Sequence, residues 1–280
     1  MTLDLLYGGA LHNGFTNISS LYSVKLRVKQ PLTVAEQAFL DDEQERLEEI
    51  ARLVRPAVSV VGLGGAGCNI VSWIKERGMV GGRLFALNTD AQHLGISRAD
   101  RRILIGKKVC GGLGCGGYPK KGELALKENL DEVTKELSGA GIVFLVAGLG
   151  GGTGTGASCA LAEEFKDSAP LVVAVVTVPF AVERVRLDTA RRGIQRLKES
   201  CDTVVVIDNT KLVKVAGDLS FTQALGVANE LVGVFVKDIT ETIATASLIN
   251  LDYVDLRAVM EKRGIAAIGT GYGQGENRIE

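Results

Sequence analysis

Residues 142–156 read IVFLVAGLGGGTGTG and decide the fold. The first seven form a continuous apolar run, which is typical of a strand covered on both faces. Five further runs of this kind are separated by helical stretches: AVSVVGL at 57–63, RLFALN at 83–88, ILIG at 103–106, LVVAVVTV at 171–178 and TVVVID at 203–208. This alternation predicts right-handed β-α-β units, and therefore an α/β fold built on an open parallel, doubly wound sheet.

Glycine is the unusual feature of the composition, with 35 residues in 280. Average usage is about 7%, so the chain carries a clear excess. Most of these glycines fall in four windows, at 62–67, 106–117, 148–156 and 264–275. The first three windows follow predicted strands, and the carboxyl ends of parallel strands are where ligands bind in open α/β sheets. The clusters therefore indicate backbone that approaches a ligand closely.

The charge balance is almost even, with 32 Lys and Arg against 33 Asp and Glu. A nucleic-acid binder or a polybasic membrane-surface protein would carry a basic excess, so we expect neither. The five cysteines form no C-x-x-C pair and the two histidines complete no zinc spacing, which favours free thiols in a reducing cytoplasm. Cys110 and Cys115 flank glycines, a context that only weakly favours reactivity. The longest apolar run is far below the roughly 20 residues that a membrane span needs, so no direct membrane insertion is expected.

Two glycine windows have the form of phosphate-binding turns. Gly62–Gly67 satisfies G-x-G-x-x-G, and Asp90 falls about where a dinucleotide-binding fold has its ribose acid, which leaves an NAD-dependent oxidoreductase open. In the 148–156 window, successive N–H groups, the Thr153 and Thr155 hydroxyls and a helix N-terminus can surround phosphate oxygens. A tight turn alone needs one or two glycines, so we interpret six in nine residues as a sign of a ligand.

Four motifs in this order resemble one known family: GLGGAGCN at 62–69, ALNTDAQ at 86–92, GGGTGTG at 150–156 and SLINLDYVDLRAVM at 247–260. The chain is similar to the FtsZ branch of the tubulin/FtsZ superfamily from about residue 57 to 280. One departure follows Pro179 and Phe180, where Glu183 is followed by Arg184 and the segment is one residue short. Arg186 is then the best match for the family's phosphate-side arginine, although Leu187 occupies the ungapped position.

The resemblance implies a GTP/GDP site, with Mg²⁺ held mainly by phosphates and water. Three glycine loops, matching 64–69, 111–117 and 148–156, would surround the phosphates. Glu183 would hold the ribose, and Asn209 and Asn229 the guanine, whose edge offers both donors and an acceptor. The implied nucleotide-binding residues are Gly64, Gly65, Ala66, Gly67, Cys68, Asn69, Asn88, Asp90, Gly114, Gly116, Gly117, Gly150, Gly151, Gly152, Thr153, Gly154, Thr155, Gly156, Glu183, Arg186, Asn209 and Asn229.

The resemblance also implies catalytic roles for Asn250, Asp252 and Asp255. Asn250 lies 21 positions after Asn229 (250 − 229), and a helix of that length spans roughly 30 Å at about 1.5 Å per residue. Asp252 and Asp255 would then be too far from their own γ-phosphate, and would act on GTP of a neighbour stacked head to tail. The alternative is helix capping, in which Asp252 caps the following helix and Asp255 favours its first turn.

The domain organisation has four parts. We expect residues 1–56 to form an extension, with a strand near 22–29 and an acidic amphipathic helix near 33–54. Residues 57–219 would then form the GTP-binding domain and 220–249 the core helix. Residues 250–280 would form the acidic loop and the start of a second domain. We expect IAAIGTGY at 265–272 to supply only the first strand of that domain's own sheet. The second domain would then be largely absent.

Two functions of different class fit these observations. The first is a filament-forming GTPase of cell division, at the division site in the cytoplasm, with further copies of itself and division or membrane-adaptor proteins as partners. The second is a GTP-binding regulator or scaffold that does not polymerise. The oxidoreductase is a remote third, because no His or Lys pair suited to hydride chemistry accompanies the glycines.

Overall fold

The structure, a computed structural model, describes residues 57–168, 170–216, 220–244, 253–261 and 264–266. The predicted extension at 1–56, with its strand and helix, lies outside the described residues. Asn250 and Asp252 lie outside them as well.

A parallel sheet of seven strands forms the centre of the described part, in the order β3-β2-β1-β4-β5-β6-β7. The strands are β1 (Ala57–Leu63), β2 (Gly82–Asn88), β3 (Arg101–Leu104), β4 (Ala140–Gly148), β5 (Leu171–Val178), β6 (Thr203–Asp208) and β7 (Gly264–Ala266). The order reverses between β1 and β4, so the carboxyl ends of these two strands flank the crevice where such sheets bind ligands. The predicted doubly wound parallel sheet is confirmed.

Ten helices are described: α1 (Gly64–Arg77), α2 (Ala91–Ile96), α3 (Lys107–Cys110), α4 (Pro119–Glu128), α5 (Leu130–Glu136), α6 (Thr153–Phe165), α7 (Arg184–Ser200), α8 (Asn209–Ala216), α9 (Phe221–Ala244) and α10 (Tyr253–Met260). Helices α4 to α7 pack on one face of the sheet and α1, α9 and α10 on the other. In β1, Val61 and Leu63 enter the first core while Val58 and Val60 enter the second. No helix among the described residues is long and apolar enough to cross a bilayer.

Strand β3 differs from its predicted bounds. The sequence predicts ILIG at 103–106, whereas the strand begins at Arg101 and ends at Leu104. Arg101 and Arg102 are exposed on this edge strand, where charged side chains are tolerated and protect against aberrant pairing. Gly106, two residues after the strand, has a left-handed φ of +67°, and a Cβ there would also lie 2.2 Å from the Cβ of Ala125.

Strand β7 also differs from expectation. It was expected to begin a second sheet, but its described residues pair in parallel with β6, Thr203 opposite Gly264 and Val205 opposite Ala266. An uncovered edge strand offers free backbone N–H and C=O groups, so an added strand gains hydrogen bonds there that it could not gain alone. This part of the chain therefore extends the first sheet.

The carboxyl ends of the strands, where the glycine loops lie, are called the carboxyl edge of the sheet, and the amino ends of the strands are called the amino edge. Helix α10 lies at the amino edge. The Tyr253 hydroxyl donates to the carbonyl of Gly141, near the start of β4, at 3.1 Å. The Thr203 hydroxyl, at the start of β6, donates to the carbonyl of Met260 at 2.7 Å. Both contacts fix α10 at the amino ends of the strands.

Candidate nucleotide site

The first and third glycine loops pack directly against each other across the reversal of strand order. Gly64 adopts a φ of +71°, and a Cβ there would lie 2.8 Å from the backbone nitrogen of Gly154. A Cβ on Gly67 would lie 2.3 Å from the carbonyl oxygen of Val146, in β4. The two loops therefore form one continuous backbone surface above β1 and β4.

Packing accounts for most glycines of the third loop. A Cβ on Gly156 would lie 1.9 Å from the carbonyl oxygen of Pro119, and one on Gly154 would lie 2.4 Å from that of Gly148. Gly148, Gly150 and Gly152 would each meet a neighbouring side-chain atom at 2.6 Å. Only Gly151, of the six, has nothing within 4 Å. The expectation that packing needs only one or two of these glycines is therefore wrong, and their number alone does not indicate a ligand.

The middle loop, residues 111–117, is open to solvent and built on left-handed backbone. Gly111, Gly112, Gly114, Gly116 and Gly117 all have φ between 57° and 82°. Gly116 and Gly117 are exposed, as is Leu113 at 87%. The loop therefore offers backbone N–H groups and one apolar side chain at its surface.

Thr89 connects the middle and third loops and was missed by the sequence analysis. Its hydroxyl is 2.6 Å from that of Thr153 in the third loop, and the thiol of Cys115 in the middle loop lies 3.4 Å from it. Its carbonyl accepts from the backbone N–H of Gly114 at 3.1 Å. The sequence feature that could have identified Thr89 is its position in the ALNTDAQ motif, directly after β2. Thr89 is fully buried and acts as a structural link.

The third loop's hydroxyls are engaged within the protein. Thr153 is hydrogen-bonded to Thr89, and the Thr155 hydroxyl accepts from the backbone N–H of Gly150 at 2.9 Å. These bonds fix the loop where it enters α6. The structure thus places both predicted threonines at the site, with their hydroxyls holding the loop's shape.

Asn88 and Asp90 hold the chain at the end of β2. The Asn88 amide oxygen accepts from the backbone N–H groups of Thr89 at 2.9 Å and Asp90 at 3.3 Å. The Asp90 carboxylate caps α2 by accepting from the backbone N–H of His93 at 3.0 Å. A helix cap therefore accounts for Asp90, the acid on which the dinucleotide alternative rested.

In the first loop, the side chains divide between core and surface. Gly65 and Asn69 are exposed and Ala66 is half-buried. The thiol of Cys68 is buried towards the carbonyl of Leu87, 3.6 Å away, and burial raises its pKa to about 12. Cys68 can therefore contribute only backbone to a ligand.

Glu183 and Arg186 lie beside the third loop. One Glu183 carboxylate oxygen accepts from Arg186 at 2.8 Å, and the other accepts from the backbone N–H of Phe180 at 3.2 Å. The carbonyl oxygen of Arg186 lies 2.9 Å from where a Cβ on Gly150 would be. Arg186, matched across a gap in the sequence, is thus placed next to the glycine loop.

Asn209 and Asn229 lie on helices α8 and α9. Asn209 begins α8 at the carboxyl end of β6 and is 7% exposed. Its side-chain oxygen is the one buried side-chain polar atom, among the residues the structure describes, without a hydrogen-bond partner. Such an atom costs about 1–3 kcal/mol unless a ligand or water satisfies it. Asn229 is half-buried on α9, one turn before Gly233.

Asp255 lies far from all these residues. It is exposed in the first turn of α10, the position expected from the capping alternative. Gly141, which α10 contacts, is seven residues along β4 from Gly148 (148 − 141), or about 23 Å at 3.3 Å per residue. The predicted site residues therefore fall into a large group at one edge of the sheet and Asp255 at the other.

Comparison with known proteins identifies the family. Residues 57–217 match the model described as the Tubulin/FtsZ family, GTPase domain. This chain belongs to the Tubulin/FtsZ family. It is 46% identical over 243 residues to the cell division protein FtsZ 1 of Archaeoglobus fulgidus, covering 86% of this chain and 66% of that protein. It is 46% identical over 238 residues to FtsZ 1 of Thermococcus kodakarensis, covering 85% of this chain and 64% of that protein.

A solved structure of an FtsZ protein is similar to this chain in both sequence and fold. An empty FtsZ dimer from M. jannaschii is 43% identical with a TM-score of 0.76, covering 80% of this chain and 65% of that one. The chain thus spans about two-thirds of the length of these FtsZ relatives. The family assignment leaves the dinucleotide alternative without support.

Proposed function

We propose that this FtsZ-family chain binds GTP at the glycine loops, assembles head to tail, and hydrolyses GTP only where the acidic segment of one subunit meets the loops of the next. One observation carries the proposal: the loops and Asp255 lie at opposite edges of the sheet. The stretch of β4 between Gly141 and Gly148 is about 23 Å long, so a carboxylate on α10, at the amino end of that strand, cannot orient water on the same subunit's nucleotide.

Each group has a definite part in this proposal. The exposed backbone N–H groups of the first and middle loops, the open position of Gly151 and the N-terminus of α6 bind phosphate oxygens. The Asn209 side-chain oxygen accepts a hydrogen bond from a guanine N–H, which removes the cost of leaving it unpaired. Glu183 and Arg186 bind ribose and phosphate in place of their mutual salt bridge.

Hydrolysis requires the neighbouring subunit. In this proposal Asn250, Asp252 and Asp255 together orient the attacking water, while the loop amides stabilise the charge on the phosphates. The described residues include no cluster of three or more potential metal ligands. We propose, as the family resemblance implies, that phosphates and water hold Mg²⁺. Mg²⁺ would neutralise charge on the leaving phosphates.

The names of the relatives support a role of this chain in cell division. Those reported above are named cell division proteins, and one solved structure is a dimer. We propose accordingly that residues 57–219 bind nucleotide, 220–249 form the core helix and 250–280 carry the acidic segment. We further propose that the filament acts at the division site, where adaptor proteins bind its surface.

Mixing two variants tests catalysis between subunits. Asp255→Asn keeps an intact pocket, and Gly151→Asp keeps the acidic segment while adding a carboxylate where phosphate would bind. Gly151 tolerates the added side chain because nothing lies within 4 Å of its Cβ position. Each variant alone should hydrolyse little GTP, but an equal mixture should recover about one quarter of the wild-type rate, since one junction in four is complete.

The matched control is Gly151→Asn, which has the same size without the charge and should retain most binding. A mixture that is no more active than its components would contradict the proposal. So would a wild-type rate strictly proportional to protein concentration. Tight GTP binding without filaments or phosphate release would instead favour the non-polymerising regulator.

A further inference from the structure

Two thiols lie close together where helix α3 ends and the middle loop begins. The Cys110 and Cys115 sulfurs lie 3.4 Å apart, and both are free. We propose that this pair is a thiol modification site that reacts with low-molecular-weight disulfides and closes to a disulfide, which alters the loop. The further effect on nucleotide binding rests on the proposed function, whereas the modification itself does not.

The geometry needs only a small movement. A disulfide bond is about 2.05 Å long, so the sulfurs must approach by roughly 1.4 Å. Of the four residues between the cysteines, Gly111, Gly112 and Gly114 are glycines in left-handed conformations. Glycine passes between backbone conformations at little steric cost, so this segment can absorb the movement.

The two sulfurs differ in access, which sets the order of reaction. Cys110 is half-buried and can meet a small disulfide, while Cys115 is 4% exposed. Burial and the neighbouring Cys115 thiol raise the pKa of Cys110 to about 11. Since the thiolate is the nucleophile, the reaction should accelerate as pH rises towards that value.

The other thiols serve as internal references. Burial raises the pKa of Cys68 to about 12 and that of Cys159 to about 11, and holds that of Cys201 well above its ordinary value. Cys68 and Cys159 lie against backbone carbonyls. All three are buried, so a small disulfide should reach them only when the chain opens.

The chemistry proceeds in two exchanges. The Cys110 thiol loses its proton, and its sulfur attacks one sulfur of the external disulfide, forming a mixed disulfide and releasing one thiolate. The Cys115 thiol then loses its proton, and its sulfur attacks the Cys110 sulfur, releasing the second thiolate. The protein pair gives up two electrons and two protons, and the external disulfide becomes two thiols.

Closing the pair would act on the loops through Cys115. A Cβ on Gly152 would lie 2.6 Å from the Cβ of Cys115, so this residue packs directly on the third loop. Its thiol also contacts Thr89, which is bonded to Thr153. Drawing the sulfur towards Cys110 removes the Thr89 contact and shifts the middle loop against the third. Guanine nucleotide should bind at least about fivefold more weakly to the oxidised chain.

Oxidised glutathione tests the modification on the full chain. At pH 8.5, intact mass should fall by two hydrogen atoms, and peptide mapping should find Cys110 linked to Cys115; dithiothreitol should reverse the change. Cys110→Ala and Cys115→Ala should each abolish the linkage, while Cys201→Ala should leave it in place. No linkage, or only a lasting glutathione adduct on Cys110, would overturn the proposal.

Nucleotide titration separates the two claims. If the reduced chain binds GTP and the linked chain binds at least fivefold more weakly, with Cys110→Ala insensitive to glutathione, the regulatory effect stands. Equal affinity in both forms overturns that effect while leaving the linkage established. A reduced chain that binds no GTP counts against the proposed function, and the mass measurement still decides the thiol chemistry.

Discussion

The two edges of the sheet are built differently. At the carboxyl edge, the loops are fixed by backbone contacts so close that single hydrogen atoms, not side chains, fit at Gly64, Gly154 and Gly156. At the amino edge, Asp255 stands exposed on a helix of eight residues, alongside the exposed Val254 and Val259. A packed edge suits the binding of a ligand of fixed shape. An exposed acid with apolar neighbours suits contact with a second molecule.

The largest expected effect is at Gly156. We expect Gly156→Ala to destabilise the fold by about 3–5 kcal/mol, because its Cβ would meet the Pro119 carbonyl oxygen and the Glu123 nitrogen, which cannot move aside. The gain in helix propensity, about 1 kcal/mol, does not offset this clash. Urea unfolding measures the change.

Gly226→Ala is the matched control. Gly226 is also a helical glycine, but nothing lies within 4 Å of its Cβ position. Gly226→Ala should therefore stabilise the chain by up to about 1 kcal/mol, because alanine has a higher helix propensity than glycine. Equal effects of the two substitutions would mean that the carboxyl edge is not sterically constrained.

The next effect concerns the amino edge. We expect Asp255→Ala to lower GTP turnover about 100-fold, while the affinity for GTP and the unfolding midpoint stay near their wild-type values. The reason is that Asp255 is exposed and lies away from the subunit's own loops. Steady-state phosphate release and nucleotide binding, measured on the same preparation, check this. A parallel loss of binding would assign Asp255 to the subunit's own site or fold.

Thr89 should give an intermediate effect. Thr89→Val removes its hydroxyl and leaves the buried Thr153 hydroxyl without that partner, which should cost about 1–3 kcal/mol of stability. Nucleotide affinity should fall as well, since the link between the loops is lost. Thr89→Ser keeps the hydroxyl and should recover most of both quantities. If the valine variant matched wild type, the loops would be held without this bond.

The smallest expected effect is a pH dependence at Glu123, on α4 beneath the third loop. Burial alone would raise the pKa of Glu123, but its salt bridges to Lys127, Lys120 and Arg196 hold it below its usual value. Its contribution to stability is therefore present above the unfolded-state pKa of about 4.3, and is lost as pH falls through the lower folded-state pKa.

Glu123→Gln should accordingly flatten the acid limb of stability below about pH 4. At neutral pH it should cost less than about 1 kcal/mol, because the three cations remain largely hydrated. Thermal unfolding between neutral and acidic pH, compared with wild type, measures this. An unchanged acid limb would show that these salt bridges do not hold the carboxyl's pKa down.

Much of the fold was predictable because the strands are buried on both faces. The bounds of β1, β5 and β6 match the apolar runs residue for residue. The edge strands were less predictable, since β3 carries Arg101 and Arg102 and β7 gains its hydrogen bonds only from β6. Edge position is a tertiary property that hydrophobic pattern does not encode.

The position of the glycine loops at the carboxyl ends of the strands was predictable, whereas the packing that requires most of their glycines was not. The motifs place the loops correctly, but glycine count cannot separate a backbone that faces a ligand from one that faces Pro119 or Cys115. The Thr89 to Thr153 bond joins residues 64 positions apart. The meeting of Cys110 and Cys115 depends on the turn between them, and their spacing alone gives no distance.

Helix α9 packs closely against the rest of the described structure at two points along its length. The Trp73 ring, with Arg77 stacked on it at 4.8 Å, lies against Gly233, where a Cβ would come within 2.4 Å of the ring. At the carboxyl end of α9, the Cβ of Ala244 lies 1.9 Å from where a Cβ on Gly81 would be. Sliding by one turn, about 5.4 Å, would force Asn229 or Lys237 under the indole. Helix α9 is therefore held in one register against the rest of the molecule, and each subunit of the proposed filament would repeat the same spacing along it.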